Sequence, residues 1–244
     1  MTTTEAHRGE DRFERMSAGL HGVLEPRLEV LDAMDRVIAA CVEFTSATEA
    51  GIVLGDPSGT LHVIASTSER TSDAEEAQLG TNEGSCLDCF RTGRTIDVPD
   101  VTTHESVWPA FAETMRQRGL RGTFAEPVRL RDGTIGSLCL FAEHTDGHDD
   151  ADVVLIQLLA DAASAALVRQ RNGSQTRTFQ EQIDDAIEAR VLVEQAKGAL
   201  AYRRGIQIDE AFQILRRAAH GAGRGMRAMA EDVVHHGADL GTTA

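Results

Sequence analysis

At 244 residues the chain has room for one domain of about 150 residues and a smaller second one. Its 41% apolar and 26% charged residues suit a globular protein rather than a chain disordered throughout. No apolar run in it approaches the roughly 18 residues of a membrane span. The opening MTTTEAHRGEDRFERM has no hydrophobic stretch to serve as a signal peptide, so a cytoplasmic protein is expected, with its four cysteines mostly reduced. A formal charge of −15 argues against a nucleic-acid partner for the chain as a whole. The average hides an island: residues 190–227 hold eight basic residues against three acidic ones, a net of +5 that leaves −20 on the remainder.

Residues 1–27 are polar and aperiodic, the composition of a mobile arm. From Leu28 the spacing of Leu31, Met34, Val37, Ile38 and Cys41 predicts an amphipathic helix. The period then shortens: Ala50–Leu54 and Leu61–Ser66 read as strands joined by an Asp-Pro-Ser-Gly turn. Residues 71–85 are polar and read as a loop or short helix. Thr95–Val98 is strand-like, and a helix bearing Trp108 and Phe111 spans about 107–117. Gly122–Leu130 and Thr134–Ala142 form a hairpin around Asp132-Gly133, and a helix from about Asp149 to Arg171 closes an α+β unit of antiparallel sheet and flanking helices.

Asn172-Gly173-Ser174 marks a boundary or a kink, so 171–180 is expected to be a helical linker. Beyond it, Phe179, Ile183, Ile187 and Val191 step by four along one long helix that runs to Arg204. Gly205 breaks it. Helices over Asp209–His220 and Met226–His235 follow, so residues 181–237 should be an all-α three-helix domain, with 238–244 as a tail.

The stretch VEQAKGALAYRRGIQIDEAFQILRR, residues 193–217, resembles the ANTAR domain, an RNA-binding antiterminator module, on an A-[KR]-G-x-L run, a Gly turn and an acidic-Glu-Ala-Phe-x-x-Leu-Arg helix. The resemblance implies binding of paired RNA hairpins near a terminator and an RNA-facing surface of Ala196, Lys197, Gly198, Ala211, Arg216, Arg203 and Arg204. Arg217 joins Arg216 as a bidentate phosphate ligand or a stacking group. Small Ala196 and Gly198 equally suit close helix packing. Ala201 stands where the family usually has Met, and Gln207 replaces the usual Ser or Thr cap, so no capping box with Glu210 can form.

Residues 28–170 resemble a GAF domain of the kind that precedes ANTAR modules in actinobacterial regulators. The carrying residues are Gly51-Ile52-Val53-Leu54, the run from Glu83 to Phe90, Thr92-Gly93, Trp108-Pro109-Ala110-Phe111 and Ile135-Gly136-Ser137-Leu138. The resemblance implies a sensor pocket, for which Cys86, Cys89, Phe90, Trp108, Phe111 and Cys139 are the candidates, and leaves its ligand and any cofactor unknown. Cys86 and Cys89 have the C-x-x-C spacing of a redox dithiol or half a zinc site, but no second C-x-x-C completes four ligands, so no metal is assigned. Trp108 and Phe111 fit core packing as well as a ligand cage. His144 and His148, set among acids, read as a solvated loop.

These readings converge on a GAF-ANTAR regulator that senses a small molecule or redox signal and binds RNA. The four-residue stripe from Phe179 to Val191 suggests a homodimer. No membrane partner and no enzymatic activity are expected. The alternatives are a thiol-dependent, GAF-type methionine sulfoxide reductase and a DNA-binding regulator.

Overall fold

The computed structural model describes residues 28–130, 133–169 and 178–240. An antiparallel sheet of five strands, in the order β2-β1-β5-β4-β3, forms the centre of the first unit. Its strands are β1 (Glu49–Gly55), β2 (Leu61–Ser66), β3 (Ile96–Val98), β4 (Gly122–Leu130) and β5 (Gly133–Ala142). The β1–β2 connection is set by one carboxylate: Asp56 Oδ1 accepts from the amides of Ser58 and Thr60 at 2.8 and 3.0 Å.

Strand alternation sends side chains to two cores. Ile52, Leu54, Phe124, Leu138 and Leu140 face α1 (Val30–Phe44) and α5 (Asp150–Arg169). Val53, Cys139 and Phe141 face the opposite way, against α3 (Ser85–Thr92) and α4 (Pro109–Gln117). Gly136 makes the β1–β5 approach possible, since a Cβ there would lie 2.2 Å from the Val53 carbonyl.

The polar stretch expected to be a loop or short helix is a thirteen-residue helix, α2 (Glu69–Thr81). Ser68 caps it by accepting from the Thr71 amide, and Asn82 ends it in the left-handed conformation at φ 61°. Its buried face is Thr71, Ser72, Ala74, Glu75 and Gln78, almost wholly polar, so hydrophobic spacing gave no signal for it. By length and apolarity α5 could cross a membrane. In the fold it lies on β4 and α1 and buries Leu155, Ile156, Leu159, Ala163 and Leu167 there.

The C-terminal unit is three helices, α6 (Phe179–Arg204), α7 (Ile208–Ala222) and α8 (Met226–His235). A capping box opens α6, with the Glu181 amide donating to Thr178 Oγ1 and the Thr178 amide to Glu181 Oε2 at 3.2 and 2.6 Å. Gly205, at φ 65°, ends it. Gln207 provides no side-chain cap to α7, as its sequence suggests. The linker expected at 171–180 and the turn residues Arg131 and Asp132 lie largely or wholly outside the described residues.

The two units share one continuous core, because α1 is covered on one side by the sheet and on another by α6 and α8. This changes the reading of the Phe179–Val191 stripe. Ile183 is fully buried and Phe179 and Ile187 pack partly buried against that core, so of the four only Val191 stands exposed.

Candidate nucleic-acid interface and sensor core

The eight residues expected to face RNA divide into two groups. Ala196 and Ala211 are fully buried where the helices of the C-terminal unit pack, so their small side chains serve helix approach. Lys197 is also fully buried. Its ammonium pairs with Glu194 one turn back and with Glu69 at the start of α2, and lies 5.0 Å from the centroid of the Phe212 ring. Helical spacing accounts for this. Val193, Ala196, Lys197 and Leu200 form one stripe at i, i+3, i+4 and i+7, and the other three face the core.

Arg216 is likewise turned toward the sensor unit. Its guanidinium donates to the Thr67 carbonyl at 2.9 Å and pairs with Asp35 at 3.4 Å. Burial holds the Asp35 carboxyl above the usual range, opposed by the Arg216 charge. Three further contacts knit the same seam. Arg190 donates to Ser72 Oγ at 2.8 Å, Gln213 to the Thr67 carbonyl at 3.4 Å, and the Met226 amide to Asp32 at 2.8 Å. Asp32, on α1, thereby caps α8 of the other unit. Burial raises its pKa to about 6, against the lowering effect of that amide. A cleft of about 670 Å³ opens beside the seam between α1 and the α7–α8 turn, edged by Arg36, Arg217 and His220.

The second group faces solvent: Gly198, Arg203 and Arg217 are exposed, and Arg204 is half-buried. Arg203 donates to the Val233 carbonyl at 3.1 Å and Arg204 to Asp239 at 2.7 Å, which fixes both at the α6–α8 end of the domain. The structure therefore brings the expected residues to one domain but splits them between a covered and an open face. Sequence reasoning missed the acidic partners Asp32, Asp35 and Glu69. Asp32 and Asp35 stand three residues apart on α1 beside the buried Leu31, Ala33 and Met34, and carboxylates so close to core positions could have flagged them.

On the other side of the sheet, Cys86 is paired with Cys139 of β5 in a disulfide, their Cα atoms 6.1 Å apart. This corrects the C-x-x-C reading and the expectation of mostly reduced cysteines. Cys89 is a free buried thiol, pushed up to about 12 by burial. Cys86 lies on the side of α3 that meets the central strand, and only folding brings it to Cys139. Gln78 of α2 brackets it, accepting from the Cys86 amide at 2.9 Å and donating to its sulfur at 3.2 Å. Trp108 and Phe111 are buried core residues, with Trp108 Nε1 donating to Asp88 at 3.0 Å, and Phe90 is partly buried against the same apolar cluster. Among the described residues no group of three His, Cys, Asp or Glu is placed to hold a metal ion. His148, expected in a solvated loop, instead packs on the Phe124 ring at 5.1 Å, and burial lowers its pKa.

Residues 28–168 match the GAF domain family and residues 181–234 match the ANTAR domain. No curated protein matches the chain. Among solved structures it is similar to the GAF domain of an Acinetobacter phosphoenolpyruvate-protein phosphotransferase, at 12% identity and a TM-score of 0.52 over 72% of this chain and 100% of that one. It is also similar to a free methionine-R-sulfoxide reductase from Neisseria meningitidis, at 17% identity and a TM-score of 0.50 over 66% of this chain and 90% of that one. At these identities the likeness establishes the fold alone. With 28–168 covering more than half its length, the chain belongs to the GAF domain family, and its C-terminal helices form an ANTAR domain, the RNA-binding module of antitermination regulators.

Proposed function

We propose that this protein is a signal-gated antiterminator in which the GAF domain, when docked as described, withholds part of the RNA-binding surface. The observation that carries the reading is the placement of Lys197 and Arg216 against Glu69, Asp35 and the Thr67 carbonyl. Of two cations suited to phosphate, Arg216 is paired by the sensor unit and Lys197 is shared between Glu69 of that unit and Glu194 of its own helix. A signal that loosens α1 and α2 frees both at once. The signal is a small molecule or a change in the redox state of Cys86 and Cys139, and the released protein grips paired hairpins near a terminator as a homodimer in the cytoplasm.

The test is binding of the full chain to an RNA carrying two short hairpins, at fixed salt. The Glu69→Gln, Asp35→Asn release variant should bind more tightly than wild type, and adding Lys197→Ala and Arg216→Ala should abolish the gain. A release variant that binds no better than wild type overturns the gating. Methionine sulfoxide turnover lost on Cys86→Ser would instead support an enzyme of the kind represented by the Neisseria protein.

A further inference from the structure

Tyr202 is the only tyrosine in the chain and is 89% exposed, in the last turn of α6. A ring left in water contributes almost nothing to folding, and the described residues offer it no recorded hydrogen bond or ring contact. Its surroundings are those of a shelf. Gly198 lies one turn back on the same face, where an added Cβ would meet nothing within 4 Å. A helical side chain covers the turn N-terminal to its own Cα, so the ring has open backbone beside it rather than a competing side chain. Arg203 follows directly and is exposed. The rest of this face, Val191 and Gln195, is too polar and too interrupted by Gly198 to form the apolar seam that pairs helices.

We infer that Tyr202 is a stacking platform for an unpaired base of the RNA hairpin loop, with Gly198 admitting the sugar-phosphate backbone and Arg203 meeting the neighbouring phosphate. Proteins read RNA loops by stacking splayed bases on aromatic rings, and one such stack is worth about 1–3 kcal/mol, which is about 5- to 150-fold in affinity. The inference rests on the RNA-binding reading above. It extends that reading because Tyr202 lies on the open face: RNA can reach it while Lys197 and Arg216 are still covered.

The experiment compares full-length wild type, Tyr202→Phe and Tyr202→Ala, each alone and in the Glu69→Gln, Asp35→Asn background. The probes are a labelled two-hairpin RNA and the same RNA with abasic loop positions, at several salt concentrations. Tyr202→Phe should bind within about twofold of wild type, since the ring is kept. Tyr202→Ala should bind about 5- to 150-fold more weakly with an unchanged salt slope, because no charge is removed. The abasic RNA should erase the difference between Ala and Tyr. Tyr202→Ala binding as well as wild type overturns this inference and leaves the RNA reading standing. Absence of RNA binding by both wild type and the release variant overturns both. Sedimentation decides the remaining case, since a loss of affinity that tracks dissociation of a dimer makes this face a self-contact and overturns the stacking role.

Discussion

Glu75 sits beneath the Gly51 backbone with one carboxylate oxygen accepting from Ser66 Oγ at 2.8 Å, and burial raises its pKa to about 8. In the unfolded chain it titrates near 4.5, so between 4.5 and 8 the folded state holds more protons and stability from this residue falls as pH rises. The contribution is fully present below pH 4.5 and gone above pH 8. Denaturant unfolding of wild type and Glu75→Gln should show a stability difference that drifts by about 1 kcal/mol per pH unit in that window, with wild type losing ground toward alkaline pH. A constant difference would mean that Glu75 is ionised throughout. The Cys86–Cys139 bond closes a loop across a sequence separation of 53, which the chain-entropy account values at about 4 kcal/mol. Cys86→Ser and Cys139→Ser should therefore each destabilise oxidised protein by a similar amount. Under a dithiol reductant wild type should fall to within about 1 kcal/mol of either variant, and a reductant-insensitive wild type would refute the bond.

Two glycines in the α7–α8 turn separate docking from backbone strain. Gly225 has φ −71°, which alanine accepts, but its Cβ would lie 1.9 Å from the Asp32 carboxylate that caps α8. Gly223 has φ 60° and open space around it, so alanine there costs about 1 kcal/mol of backbone strain and meets nothing. Gly225→Ala should thus lose the cap, worth about 1 kcal/mol, and also raise RNA affinity by loosening the seam, whereas Gly223→Ala should lower stability without raising affinity. Equal RNA binding by the two would deny Asp32 its docking role. The same elements mark what sequence could reveal. Strands β1, β2, β4 and β5 and the helices α1, α5, α7 and α8 are legible in apolar spacing, apolar runs and turn residues, because each buries an apolar face. The helix α2 is not, since its buried face is held by Thr71, Ser72, Glu75 and Gln78 through hydrogen bonds that only the folded neighbours supply. The ANTAR resemblance implies an RNA-facing Lys197, whereas its place in the Val193–Leu200 stripe already points inward. Cys139 could be joined to Cys86 only once β5 lay beside α3.

Under the proposed gating, docking and RNA binding compete for Lys197 and Arg216, so across the whole molecule they are linked. A change that weakens docking by some factor can raise RNA affinity by no more than that factor. The linkage has a salt signature. On the proposed reading the docked chain offers RNA Arg203, Arg204 and Arg217, while the undocked chain adds Lys197 and Arg216, two further phosphate ligands. Each phosphate neutralised steepens the slope of log affinity against log salt by a little under one. The Glu69→Gln, Asp35→Asn variant should accordingly bind more tightly than wild type at low salt with a slope steeper by about two, so that its advantage narrows as salt rises. Glu69 and Asp35 are only partly exposed, so screening of the seam itself is weak over the same range and does not mimic the effect. Parallel slopes with a constant offset would show that the variant acts by some route other than uncovering the two cations. Identical lines for variant and wild type would show that the seam does not withhold them.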